Sequence, residues 1–135
     1  MLFNNILKDV INNITVIIVS YKSRKTILNC LKSLKQFKKI LILDNSNDKK
    51  LKSFLKKQSP RTKIFLSNKN NGYGAGYNFL IKKVKTQFAL IMTPDTSIRK
   101  GSLKNYIKSL SNINSKFCLM GPYSQNRMFK LENKK

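Results

Sequence analysis

Short runs of β-branched and aliphatic residues recur along the chain, and segments with a helical hydrophobic period lie between them. The first run, at residues 14–20, is continuous, which is typical of a strand buried on both faces of a sheet. Further runs occupy residues 40–44, 63–66, 88–92 and 117–120. Because a helical pattern separates each run from the next, the sequence predicts βαβ units, a mostly parallel sheet and a three-layer α/β sandwich.

The helical segments are marked by apolar residues spaced as one face of an α-helix. These expected core-facing sets are Ile27, Cys30, Leu31 and Leu34; Leu51, Phe54 and Leu55; Tyr77, Leu80, Ile81 and Val84; and Leu103, Tyr106, Ile107 and Leu110. Residues 68–76 are rich in Asn and Gly, and we expect a turn there.

The length of 135 residues and an apolar content of 41% fit one globular domain and exclude a wholly disordered chain. We expect an N-terminal extension at 1–13, the domain at 14–123 and a polar tail at 124–135. Residues 1–13 lack the pattern of a signal peptide. The apolar runs are also too short to span a bilayer.

The chain carries 28 Lys and Arg against 5 Asp and Glu, giving a formal charge of +23. Two explanations stay open: a compositional bias towards lysine, or a surface dedicated to a polyanion. Arginine forks, which specific nucleic-acid recognition favours, are few, so no specific nucleic acid is expected. The absence of histidine excludes a His general base and a Ser-His-Asp triad. Cys30 and Cys118 fit no metal-binding spacing, and free thiols suit a reducing cytoplasm.

Three of the five acidic residues lie just past predicted strand ends: Asp44, Asp48 and Asp95. Ligands of parallel α/β sheets bind at that edge. Asp48 is expected to cap the helix that follows it. Asp44 is either a turn former or an acceptor for a base or ribose. Asp95 is either a turn residue or an oxygen ligand for Mg²⁺ or Mn²⁺ carrying a diphosphate.

Residues 70–78 contain three of the five glycines, Gly72, Gly74 and Gly76. Glycines at alternate positions permit positive φ and close approach of a ligand to the backbone. The helix N-terminus that follows is a general anion site. The spacing matches neither a dinucleotide fingerprint nor a P-loop, and an ordinary turn is an equal alternative.

Four motifs stand in one order: Val-Ile-Ile-Val-Ser-Tyr at 16–21, Leu-Asp-Asn-Ser-Asn-Asp at 43–48, Asn-Asn-Gly-Tyr-Gly-Ala-Gly-Tyr-Asn at 70–78, and Met-Thr-Pro-Asp-Thr at 92–96. Together they resemble the family 2 glycosyltransferases of the Rossmann-like GT-A fold, in particular the rhamnosyltransferase-like branch. The resemblance covers residues 14–123.

The resemblance implies roles for particular residues. Ser20 and Tyr21 would line the nucleoside pocket, and Asp44 would hold uracil or thymine. Asp95 would match the metal-binding acid of an Asp-x-Asp motif whose first position is Thr93, with Mg²⁺ or Mn²⁺ as the cation. The residues expected to border the nucleotide and the sugar are Asn71, Gly72, Gly74 and Asn78.

The implied reaction transfers a hexose from a UDP- or dTDP-linked donor to a hydroxyl, for cell-surface polysaccharide or glycolipid synthesis. The implied location is the cytoplasm, including its membrane face, where an anionic surface or a lipid-linked acceptor would be a partner. Family members extend beyond the end of this chain, and that second half supplies the acceptor site and the general base, which stays unassigned. The alternatives are a truncated product, one piece of a split enzyme, an inactive nucleotide-sugar-binding fragment, and a basic protein that binds polyanions or membranes.

Overall fold

The computed structural model describes residues 2–99, 101–111 and 120–121. In chain order its elements are α1 (Leu2–Asn12), β1 (Ile14–Ser20), α2 (Arg24–Ser33), β2 (Ile40–Asp44), α3 (Lys49–Gln58), β3 (Thr62–Leu66), α4 (Gly72–Ile81), β4 (Phe88–Met92) and α5 (Ser102–Ser111). The strands predicted within residues 14–92 are confirmed. The fifth strand expected at 117–120 falls, apart from Met120, outside the described residues, as do Cys118 and the polar tail.

The four described strands form one parallel sheet in the order β3-β2-β1-β4. Strand β1 lies between β2 and β4, and its seven residues are all buried, as the continuous apolar run predicts. The α/β sandwich expected from the sequence is therefore confirmed.

The reversal of strand order around β1 determines where the helices lie. Parallel crossovers are right-handed in nearly all proteins. The chain moves from β1 to β2 to β3 in one direction, so α2 and α3 pack on one face of the sheet. It then returns past β1 to β4, and the opposite direction of this crossover puts α4 on the other face. Parallel sheets bind ligands at such a switch point.

The larger core lies between the sheet and the helices that pack on the same face of the sheet as α2. It contains Val16 and Ile18 from β1, together with Ile27 and Leu34 from α2. Helix α1, which the sequence patterns did not predict, also packs there through Val10 and Ile11. Burying aliphatic side chains of this kind contributes about 1.5–3 kcal/mol each.

The smaller core lies beneath α4 and centres on Ile17, Val19, Leu43 and Leu80. Gly76 makes this packing possible, because a Cβ at that position would lie 2.8 Å from both Val19 methyl carbons. Only a residue without a side chain lets α4 approach β1 this closely.

Several side chains depart from the predicted pattern. Phe54 is 43% exposed, because the buried face of α3 is a narrow stripe of Leu51 and Leu55. Ile81 is 46% exposed, because it lies on a flank of α4 that turns away from the sheet. Helix α4 ends at Ile81, so Val84 lies beyond it. Among the described residues, no helix is long and apolar enough to cross a membrane.

Replacing Gly76 with alanine is expected to destabilise the protein by roughly 1–2 kcal/mol, since overpacking against Val19 exceeds the gain in helix propensity. Gly74→Ala is the matched control. A Cβ at Gly74 meets nothing within 4 Å, so this change should stabilise by about 0.5–1 kcal/mol. Urea denaturation measures both variants.

A double-mutant cycle with Val19→Ala isolates the contact itself. The cost of Gly76→Ala should shrink or reverse in the Val19→Ala background. An unchanged cost in that background would contradict the steric explanation.

Candidate functional site

The carboxylate of Asp44 is fully buried at the end of β2 and is surrounded by hydrogen-bond donors. The Ser20 hydroxyl donates to it at 2.8 Å, and the backbone N–H of Asp48 donates at 2.8 Å. The Ser46 hydroxyl lies 2.9 and 3.0 Å from its two oxygens. A buried charge is tolerated when it is hydrogen-bonded in this way. Asp44 thus joins the ends of β1 and β2 and shapes the turn into α3.

Asn45 links the same strand ends to the start of α4. Its N–H donates to the Ser20 carbonyl at 2.8 Å, and its Nδ2 donates to the Gly72 carbonyl at 3.1 Å. The side chain is buried, and its Oδ1 accepts no hydrogen bond within the described part of the chain. Sequence reasoning missed Asn45, and its only signal was its place directly after a strand-end acid.

An open cleft of about 900 Å³ lies between the turn that follows β1 and the turn that follows β2. Its lining residues are Lys22, Ser23, Arg24, Lys25 and Thr26 from the first turn and the start of α2, and Ser46, Asn47, Asp48, Lys49 and Lys50 from the second turn and the start of α3. Five of these are cationic and one is acidic, so the cleft favours anions. Its volume lies in the range of small-molecule sites.

Asp48 caps α3, as predicted: its Oδ1 accepts the Leu51 N–H at 2.9 Å. It also forms a forked ion pair with Arg24, whose Nη2 lies 2.6 Å from Oδ1. The hydrogen bond from Arg24, followed by that from Leu51, lowers the pKa of Asp48 below its usual value. This pair connects the start of α2 to the start of α3, and both residues line the cleft.

The glycine-rich segment is helical over part of the range expected to form a turn. Helix α4 already begins at Gly72, whose φ is +76°. Gly72 donates its N–H to Asn70 Oδ1 at 3.0 Å, and Asn71 donates to the Ser67 hydroxyl at 3.1 Å. Gly74 has open space around its Cα, and Asn78 is exposed. The open backbone at Gly74 allows the close ligand approach that the sequence suggested.

Asp95 lies on an exposed turn after β4. A hydrogen bond with Thr93, and then one from its own backbone, lower the pKa of Asp95. The Tyr77 hydroxyl donates to the Met92 carbonyl at 3.0 Å and ties the start of this turn to α4. Asp95 is therefore ionised at neutral pH, and its turn is connected to α4 through Tyr77.

The Cys30 thiol fixes the same turn from the opposite face of the sheet. Its Sγ lies 3.7 Å from the Thr93 carbonyl, to which the thiol donates. Burial, and then the charge of Asp95, raise the pKa of Cys30 to about 11. The thiol stays protonated at neutral pH and acts as a donor.

The structure brings some predicted site residues together and leaves others apart. Ser20 and Asp44 are in direct contact, and Asn45 connects them to Gly72. Asp95 lies on the other side of β1, and no hydrogen bond within the described residues joins it to Asp44. Tyr21 is 42% exposed just past the end of β1.

The residues around Asp95 do not form a metal cage by themselves. Within residues 2–99, 101–111 and 120–121, no three His, Cys, Asp or Glu side chains cluster. Mg²⁺ and Mn²⁺ are often held by one or two carboxylates together with substrate phosphates. One ionised, exposed carboxylate beside a threonine hydroxyl fits that kind of site.

Comparison with known proteins shows the family to which this arrangement belongs. The family model described as glycosyl transferase family 2 matches residues 15–135. The chain belongs to this family. A comparison with curated proteins gives no match.

Solved structures support the same fold. The chain is similar to S. aureus TarS 1-349, with a TM-score of 0.62 and 20% identity over 79% of this chain and 38% of that one. TarS 1-349 has also been solved with UDP. The mannosyltransferase PcManGT of Pyrobaculum calidifontis, solved with GDP-Man and Mn²⁺, gives a TM-score of 0.63 and 15% identity, covering 74% of this chain and 32% of that one. The chain spans less than two-fifths of the length of these structures.

The Arg24–Asp48 pair predicts a pH-dependent stability. A lowered carboxylate pKa stabilises the fold above the usual value of 3.8, and that contribution is lost as pH falls through the lowered pKa. Asp48→Asn keeps a good helix cap and removes only the charge. We expect it to destabilise by about 0.2–1 kcal/mol near neutral pH, with the difference closing at acid pH.

Chemical denaturation at several pH values measures this difference, and Arg24→Gln/Asp48→Asn is the control. The destabilisation of the double variant should not exceed the sum of the destabilisations caused by its two single changes, because either change alone already breaks the pair. A difference between wild type and Asp48→Asn that persists unchanged into acid would contradict the ion-pair explanation.

Proposed function

We propose that this chain is the donor-binding part of a glycosyltransferase that takes a nucleoside diphosphate hexose, UDP- or dTDP-linked. Together with an acceptor-binding part, it transfers the hexose to a hydroxyl of a cell-surface polysaccharide or glycolipid. The observation that carries the proposal is the hydrogen-bonded junction of Ser20, Asp44, Asn45 and Gly72 at the switch point, with the ionised Asp95 across β1.

The nucleoside would bind at the ends of β1 and β2. Both oxygens of Asp44 already accept hydrogen bonds from protein donors. A base N–H can therefore donate to Asp44 only if one of those donors moves. Ser46 is the one best placed to do so, because it lines the cleft and lies on a turn, whereas Ser20 is fully buried in β1. In the proposed complex, the base replaces the Ser46 hydroxyl on Asp44, and Tyr21 lies beside it.

The diphosphate would lie between the start of α4 and Asp95. The N–H groups in the first turn of a helix favour negative charge, and the open surface at Gly74 admits a phosphate close to the backbone. Asp95 and Thr93 would hold Mg²⁺ or Mn²⁺ there. A bound cation of this kind neutralises charge on the departing diphosphate. The neighbours solved with UDP, and with GDP-Man and Mn²⁺, support this assignment.

The transfer breaks the bond between the sugar and the diphosphate and forms a bond to the acceptor oxygen, whose proton needs a base. Among the described acids that lie after strand ends, none is a free candidate. Asp44 is buried, Asp48 is paired with Arg24, and Asp95 lies on the diphosphate side. In the proposal, the base therefore comes from the part of the enzyme that binds the acceptor.

Titration calorimetry with UDP and dTDP, with and without Mn²⁺, tests the proposal. Asp95→Asn should lose the Mn²⁺-dependent part of the affinity, because it removes the proposed ligand, and keep the metal-free binding. Asp9→Asn, on α1, is the matched control for the change in charge and should bind like wild type. Equal affinity of Asp95→Asn and wild type in Mn²⁺ would rule out the metal assignment. The absence of any nucleotide binding by folded wild type would overturn the donor-binding function.

The approach at Gly74 can be tested separately. Gly74→Val should weaken UDP binding by about tenfold or more, because the new side chain fills the space that the phosphate needs. Ala75→Val is the control, since it has the same β-branched cost in the helix and is also exposed. Equal affinities in the two variants would show that the ligand does not approach Gly74.

A further inference from the structure

Two aromatic rings and two lysines meet where α4 lies beside β3. Phe65 on β3 and Phe79 on α4 meet edge to face with ring centroids 5.4 Å apart. The ammonium groups of Lys63 and Lys83 lie 5.3 and 5.2 Å from the Phe65 centroid, and Lys83 lies 4.5 Å from the Phe79 centroid. These four residues form a surface that we call the aromatic–lysine patch.

The patch is exposed and uniformly positive. Phe79 is 39% exposed, and both lysines are exposed. In the described part of the chain, neither lysine forms an ion pair with a carboxylate. Lys82 and Lys85 are exposed next to Lys83 in the sequence and add charge of the same sign. A partly exposed phenyl ring beside cations that have no carboxylate partner suits a partner that is both anionic and apolar.

We propose that the aromatic–lysine patch docks the protein onto an anionic phospholipid bilayer. Lysines near such a surface are attracted by its negative potential, and phenylalanine side chains insert at the boundary between headgroups and acyl chains. The patch offers both properties within one contiguous set of contacts. The proposal goes beyond donor binding and does not depend on a bound nucleotide.

The ring geometry favours a bilayer over single-stranded nucleic acid. Proteins that bind single strands offer open aromatic faces on which bases stack. Here cations lie over the Phe65 ring, and the edge-to-face contact brings the two rings against each other. Insertion of a partly exposed phenyl group into a bilayer needs no open ring face.

The position of the patch leaves the donor site accessible. Helix α4 begins at the site with Gly72 and runs away from it, so Phe79 lies about 10 Å further along the helix axis. A bilayer in contact with Phe79 and Lys83 would therefore lie to the side of the carboxyl edge of the sheet. Docking there would hold the proposed donor site near the membrane without covering it.

Sedimentation with vesicles tests the proposal on the full chain. Wild type should bind vesicles of phosphatidylcholine with phosphatidylglycerol and bind pure phosphatidylcholine vesicles far more weakly. Lys63→Gln/Lys83→Gln should lower the partition coefficient by at least about tenfold, since each lysine near an anionic surface contributes roughly a fivefold change. Phe79→Ser should lower it as well.

The opposite face of the molecule provides matched controls. Lys52→Gln/Lys56→Gln removes the same charge from exposed positions on α3, and Phe54→Ser removes a phenyl group that is 43% exposed there. Both controls should keep vesicle binding near the wild-type value, and thermal melts should show that every variant is folded.

Equal losses in patch and control variants would show that binding follows diffuse charge and would overturn the proposal. Absence of vesicle binding by wild type would do the same. The proposal would also fail if the patch variants lost binding to single-stranded oligonucleotides but kept binding to vesicles.

Discussion

The fold depends on the burial of β1 between β2 and β4. Because the sheet grows in both directions from this strand, right-handed crossovers place α4 on the face opposite α2 and α3. The same reversal leaves a crevice at the carboxyl end of β1, and the start of α4 and the turn of Asp95 border it. One topological constraint therefore creates both the candidate site and the smaller core beneath α4.

The buried Asp44 carboxylate is the group of that site that most needs hydrogen-bond donors. Burying it without donors would cost several kcal/mol, and Ser20, Ser46 and the Asp48 N–H prevent this. Its turn-forming role and its proposed ligand role are compatible, since one of the three donors lies on a partly exposed turn. The Arg24–Asp48 pair then keeps that turn in place from the other side of the cleft.

The spacing of apolar residues predicted the fold well, because buried strands give continuous apolar runs and core-facing helices give apolar residues three or four positions apart. The bounds of β1, β2 and β4 and the cap at Asp48 follow from those patterns. Asn45 could not be found in this way, since its importance comes from Gly72, which lies far along the chain and meets it only after the crossover of α4. The exposure of Phe54 was also missed, because periodicity identifies a face of a helix but not how much of that face the sheet covers.

The distribution of acids also explains what the described part of the chain can contribute to a reaction. In a chain with so few carboxylates, each one near the site already has a structural or electrostatic partner: Asp44 has hydroxyl and amide donors, Asp48 has Arg24, and Asp95 has Thr93. The hydrogen bonds to Asp48 and Asp95 lower the pKa of both carboxyl groups, so these two acids are poor proton acceptors at neutral pH. Removing a proton from an acceptor hydroxyl requires a group with higher proton affinity and space beside it. Asp48 and Asp95 do not meet that requirement, which agrees with the proposal that activation of the acceptor belongs to another part of the enzyme.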